Sequence, residues 1–187
     1  IAKAREGKLK VLLEVTDSAV LLHLEEVLGD RHQLDYILVA NGRTAVHEVK
    51  RLKKDKIPVL LAPTLTTRPP TNVRINPAAI LEDAGVEFAF RPAADSVAEM
   101  RSLFFRIAQL VKCGLGRDAA LAAVTRVPAG WLGVKDQVGT LEKGKAANLL
   151  LFTGDPLASP LATVHTVILD GAVVRSPDGD AGDDSID

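Results

Sequence analysis

Gly139-Thr140-Leu141-Glu142-Lys143-Gly144-Lys145-Ala146-Ala147-Asn148-Leu149-Leu150-Leu151-Phe152-Thr153-Gly154-Asp155-Pro156-Leu157 is the stretch on which the reading of the fold turns. It reads as a glycine-bounded hairpin turn, a buried strand and a sharp exit. Gly139 and Gly144 permit the positive φ that tight turns need. Residues 147–152 form a short apolar run, the pattern of a strand covered on both faces. Gly154-Asp155-Pro156 ends the strand, because proline has no N–H to give a ladder.

Upstream the chain alternates strand and helix. Residues 10–15, 35–40, 58–62 and 86–90 are apolar strand candidates. Between the first two, apolar residues recur at Val20, Leu21, Leu24, Val27 and Leu28, a helical spacing that Asp17 or Ser18 would cap and Gly29 would end. Asn41-Gly42 reads as a turn and residues 44–54 as one helix. Residues 63–74 read as a loop without a period. Asn76-Pro77 opens a short helix, with proline at its first position. Asp95 or Ser96 caps a long helix running to about Cys113. Connections that carry helices between strands imply a parallel sheet with right-handed crossovers.

Residues 116–126 read as a further helix and residues 128–132 as a helical turn carrying Trp131. After the opening stretch come two strand candidates, residues 164–169 and 172–174. Asp170-Gly171 between them is a two-residue hairpin signal. The tail from Ser176 is polar and acidic, with Asp178, Asp180, Asp183, Asp184 and Asp187, and is expected to be solvated and disordered.

The bulk numbers bound the class. The chain has 187 residues, 47% hydrophobic and 25% charged, which is globular composition. A formal net charge of −1 gives no field to attract nucleic acid or an anionic membrane. No apolar run is long enough to span a bilayer, and no signal peptide is visible. A cytoplasmic location is slightly favoured. The chain begins with Ile1 and is compatible with being a fragment. Cys113 is the single cysteine, which excludes an internal disulfide and any multi-cysteine zinc site. Its apolar helical setting predicts a buried, inert thiol.

The opening stretch closely resembles the C-terminal strand motif of metal-dependent amidohydrolases, G-x-L-E-x-G-K-x-A-N-L-L-L-F-x-G-D-P-L, nearest to the imidazolonepropionase-like subgroup. Gly114-Leu115 with Ala120-Leu121-Ala122-Ala123-Val124-Thr125 and Pro128-Ala129 resembles the helical segment that precedes it in that family. Trp131-Leu132-Gly133-Val134 fits the next element, with tryptophan for alanine. The resemblance implies an α/β fold: the second half of a (β/α)8 barrel plus strands of a small β-sandwich. On that division residues 1–133 hold four βα units and two trailing helices, 134–175 the sandwich strands and 176–187 the tail.

It also implies where chemistry belongs. Such enzymes place histidines at two strand ends and an aspartate at a third, around a divalent metal that activates water. Here the first ligand position falls on Glu14, with Thr16 near it. The second falls on about Ala40, beside Asn41, and the aspartate position falls on Ala93 unless the loop slips to present Asp95. Arg91 sets a fixed positive charge where a cation would sit. Of the four histidines, His23 and His47 fall inside helices, His32 in a loop and His165 at the start of a sandwich strand.

The expectation is therefore a polar pocket lined by Glu14, Thr16, Asn41, Thr64 and Arg91, with Glu14 and Asp95 as weak metal candidates and Asp95 as a weak catalytic one. The first reading is a non-catalytic homologue without a resident cofactor, acting by binding or assembly. The second is an active, zinc-type hydrolase of C–N bonds whose ligands lie in an N-terminal half. The third is a free-standing flavodoxin-like domain, which has no use for three trailing strands. Expected partners are a small-molecule ligand, the other half of the barrel or a paralogous subunit, and a second copy in a homo-oligomer. Nucleic acid and membrane are not expected.

Overall fold

The computed structural model describes residues 10–28, 34–68, 70–159 and 161–176. His32, Gly29 and the tail beyond Ser176 lie outside them. The first unit is β1 (Val11–Val15), α1 (Ser18–Leu28), β2 (Tyr36–Ala40), α2 (Gly42–His47), α3 (Val49–Lys54) and β3 (Val59–Leu61). A small hairpin follows, β4 (Thr66–Thr67) and β5 (Arg74–Ile75), then α4 (Pro77–Ala84), β6 (Phe88–Phe90) and α5 (Val97–Lys112). The chain ends in α6 (Arg117–Ala122), α7 (Arg126–Trp131), β7 (Leu149–Phe152), β8 (Val164–Leu169) and β9 (Ala172–Arg175).

Strands β1, β2, β3 and β6 form one parallel sheet in that spatial order. Their continuous apolar runs are what a parallel sheet demands, since helices or neighbours bury both faces. Val15, Leu38, Ala40, Val59, Leu61, Phe88 and Phe90 point to the helices and join Leu21, Leu52, Leu81, Ile107 and Leu110 in the core. The other face carries Leu12, Glu14, Ile37, Val39, Leu60 and Ala89. Pairing sets Glu14, Val39, Leu60 and Ala89 side by side across all four strands. At the edge Leu12 is 60% exposed.

Helix α4 ties the helical layer together. The buried Asn76 caps it by accepting the Ala79 N–H, and its amide donates to the Leu110 and Cys113 carbonyls at the end of α5, at 2.8 and 3.2 Å. At the other end Glu82 accepts the Gly116 N–H at 2.7 Å, capping α6. These are orphan groups of helix termini, satisfied by side chains from another helix.

Several expectations change. The helix expected over residues 44–54 is two helices broken at Glu48, which sits at φ −94° and ψ 7°. Asn41-Gly42 is not a free turn: Asn41 is the N-cap of α2 and Gly42 its first residue. The helix expected over 116–126 stops at Ala122 because the Ala123 carbonyl accepts the Phe90 N–H, the outward donor of edge strand β6. The expected helical turn at 128–132 is the C-terminal part of α7. The loop over 63–74 contains the β4–β5 hairpin. Ser96, not Asp95, caps α5. Cys113 is exposed rather than buried, because α5 ends at that residue.

The second sheet is antiparallel, β7-β8-β9, and separate from the first. Asp170 and Gly171 at the β8–β9 turn have φ 48° and 83°, the pair of positive values of a type I′ hairpin. Asn148 Oδ1 accepts the Asp170 N–H, so the asparagine of the opening stretch clamps that turn. The predicted hairpin at 139–144 is instead a loop, closed by Ala146 N–H to the Gln137 carbonyl. A Cβ at Gly139 would meet Ala129 Cβ at 2.7 Å, so glycine is required there for space as well as for φ. Strand β7 is not covered on both faces: Leu150 and Leu151 are 49% and 45% exposed and lie outside the buried core. The sheet is joined to the body by Leu157, buried in the core, by the Phe104–Phe152 edge-to-face pair at 5.1 Å and by the Arg117–Asp155 ion pair. No helix among the described residues is long and apolar enough to cross a membrane.

Two outcomes follow from this packing. Asn76→Ala removes a cap and strands two carbonyls, so urea unfolding should show a loss of about 2–4 kcal/mol. Asn76→Asp keeps the cap acceptor but loses both donors, and should cost at least as much. The second outcome concerns acid. The Arg117 guanidinium, with the Leu157 N–H, holds Asp155 below its ordinary value of 3.8. A depressed carboxylate stabilises the fold fully above the unfolded-state value, and the effect is lost as pH falls through the folded-state value. Asp155→Asn should therefore flatten the fall in melting temperature between pH 5 and pH 2; an unchanged slope would remove Asp155 from the account.

Candidate functional site

The four parallel strands run the same way, so their C-terminal ends open on one side, where βα folds gather reacting groups. Thr16 follows β1, Asn41 follows β2, Thr64 follows β3 and Arg91 follows β6. Asn41 laces the first two loops together. Its Oδ1 accepts the Thr44 N–H at 3.0 Å and its amide donates to the Thr16 carbonyl at 2.7 Å.

The five residues expected in one pocket fall into two groups. Thr16, Asn41 and Thr64 line a cleft of about 470 Å³, together with Ser18, Arg43 and His47. Glu14 and Arg91 lie apart from that cleft and meet each other across the inner face, Nη2 to Oε1 at 3.7 Å. They belong to the two outer strands of a sheet about 14 Å wide at roughly 4.8 Å per strand gap, so the pair requires the sheet to curl around this face. Arg91 Nε is buried and makes no hydrogen bond, and Nη1 only brushes the Pro92 carbonyl at 3.5 Å. Asp95 is exposed on the loop before α5 and touches none of the others.

His47 is a residue that sequence reading placed inside a helix and passed over. The break at Glu48 turns the Glu48 carboxylate, only 11% exposed, onto the ring: Oε1 lies 2.7 Å from Nδ1. Ser18 Oγ lies 3.1 Å from the same nitrogen. A carboxylate oxygen accepts, so in the neutral ring the hydrogen-bond network assigns the proton to Nδ1 rather than Nε2. Serine, histidine and glutamate side by side suggest a nucleophile relay. That relay needs the serine and the carboxylate on opposite ring nitrogens. Here they share one, so the imidazole cannot pass a proton from Ser18 toward Glu48. Nearby Asp17 is held below its ordinary range chiefly by the Val20 N–H, helped by the Thr16 hydroxyl and the Ala19 N–H. It works as the cap of α1.

A divalent metal at the strand ends would need about three protein ligands and one open position. Among the described residues no group of three or more histidine, cysteine, aspartate or glutamate side chains is placed to hold one. The inner face offers one carboxylate, Glu14, already facing a guanidinium. The remaining described histidines are remote: His23 lies near Glu26 on α1, and His165 faces Thr166 on β8. This donor set does not fit a catalytic metal.

The amidohydrolase family model matches residues 14–175. No curated protein sequence matches the chain. Among solved structures, an amidohydrolase from Thermotoga maritima MSB8 is similar with a TM-score of 0.76 and 23% identity, over 94% of this chain and 45% of that one. A second amidohydrolase is similar at TM-score 0.62 and 18% identity, over 94% of this chain and 46% of that one. A prolidase, complexed with N-methylphosphonate-L-proline, is similar at TM-score 0.52 and 20% identity, over 75% and 45%. This chain thus spans less than half the length of these relatives.

The His47 geometry gives a spectroscopic outcome. Long-range 15N–1H correlation spectra of the neutral ring should show the Nδ1–H tautomer. Glu48→Ala should abolish that bias. An Nε2–H ring in the unsubstituted protein would mean that Glu48 does not hold it.

Proposed function

The chain belongs to the amidohydrolase family, and on that premise we propose that it is a non-catalytic member whose strand-end mouth binds rather than hydrolyses. The observation that carries this reading is the Glu14–Arg91 pair. Where the family would hold a metal, the inner face presents among the described residues one carboxylate, faced by a guanidinium at 3.7 Å, with alanine at residues 40 and 93. A guanidinium stays charged at all accessible pH, so a cation brought to Glu14 meets fixed repulsion. Without a metal-bound hydroxide the family's reaction has no nucleophile at this mouth. Thr16, Asn41, Thr64 and Arg91 would then supply hydrogen bonds to a small ligand.

The sequential strand order and the curl of the sheet support a segment of a (β/α)8 barrel. An open doubly wound sheet would instead reverse its strand order at a switch point. On this proposal residues up to 133 are barrel units and 134–175 belong to a β-sandwich. The outer edge of β1 and the inner face take further βα units from the same polypeptide or a paralogous subunit.

A second reading rests on the family assignment itself: a hydrolase of C–N bonds, with its metal held by residues from those further units. Elemental analysis of the dialysed full-length protein separates the two. The non-catalytic reading expects well under one equivalent of zinc, manganese or iron, unchanged by Glu14→Ala. About one equivalent of metal, the stoichiometry of a mononuclear site, lost in Glu14→Ala, together with amide or dipeptide hydrolysis, would overturn it.

A further inference from the structure

Away from the strand ends, a groove of about 550 Å³ runs between α5 and the β7–β8–β9 sheet. Its floor is aromatic: Phe104 packs edge-to-face on Phe152, and Phe105 is 50% exposed beside them, with Val164 also lining the groove. Among the described residues Arg101 on α5 and Arg175 on β9 are the only charged ones lining it, and neither guanidinium makes an ion pair or a hydrogen bond. The contrast with Arg106, also on α5, is direct. Arg106 is neutralised by Glu99 at 2.7 Å and also holds Ser102. No described aspartate or glutamate lines the groove.

Two unpaired guanidinium groups beside exposed phenylalanine rings make a surface with a definite complement. Apolar area removes a ring or a branched hydrocarbon from water. A guanidinium presents paired N–H donors matched to a carboxylate, and the attraction grows where apolar walls lower the local dielectric. The volume lies within the range of small-molecule sites, which are mostly apolar with a few fixed polar groups. We propose that this groove binds an organic anion: a carboxylate attached to an aromatic or bulky apolar body. The carboxylate sits between Arg101 and Arg175, and the body covers Phe105 and Phe152. The site is independent of the strand-end mouth and does not require it to be active or inactive.

The test titrates the full chain calorimetrically with 1-naphthylacetate and, in parallel, with the neutral 1-naphthylethanol. The anion should bind one to one and at least about tenfold more tightly than the alcohol, the size of a charge-assisted contact. Arg101→Gln with Arg175→Gln should erase that preference while leaving the far-ultraviolet circular dichroism unchanged. Phe105→Ala should weaken both ligands. Equal affinities in the unsubstituted protein overturn the proposal. So does a preference that survives the double substitution, or binding that Phe105→Ala leaves intact.

Discussion

A parallel sheet must be covered on both faces, and among the described residues helices cover only one. The inner face of β1, β2, β3 and β6 is left to its own side chains. Ile37, Val39 and Ala89 are nonetheless buried, and the Glu14–Arg91 contact requires the sheet to curl around this face. That curl lets Arg91 reach Glu14 across four strands. The curl thus sets up the charge pair at the heart of the functional question, while Leu12 at the edge stays exposed.

The strands were legible because their signal is local. Apolar runs such as residues 36–40 read the same in any context, and Asp170-Gly171 announces its turn by residue type alone. The features that escaped are set by groups far away in sequence. Nothing near Ala123 says that a helix must stop there; the Phe90 N–H does. Nothing near Glu48 says that its carboxylate will turn back onto His47. The two-residue strands β4 and β5 are too short to leave a period. Strand β7 looked doubly covered because the sequence shows hydrophobicity, not which partner supplies the cover.

The mouth was half legible for the same reason. The strand-end rule located Thr16, Asn41 and Thr64, which do share a cleft. It also located Glu14 and Arg91, but side-chain parity sends them to the inner face instead. Ser18 and His47 join the cleft through the start of α1 and the end of α2, elements whose meeting no spacing rule encodes. Asp95 was ambiguous between capping and chemistry; the neighbouring Ser96 takes the cap and Asp95 is left in solvent.

Asn76 bears on how the chain acquires this structure in time. Its amide closes α5 at carbonyls 34 and 37 residues downstream, while its carbonyl oxygen opens α4. Glu82 then closes the start of α6, again 34 residues on. During synthesis α4 emerges from the ribosome well before either partner. It carries a polar amide and a carboxylate whose partners are still unmade, so its docked state has little advantage over a solvated one. The helical layer is therefore poised to consolidate in one cooperative step, once residues 110–116 have cleared the exit tunnel, rather than unit by unit as the βα alternation suggests.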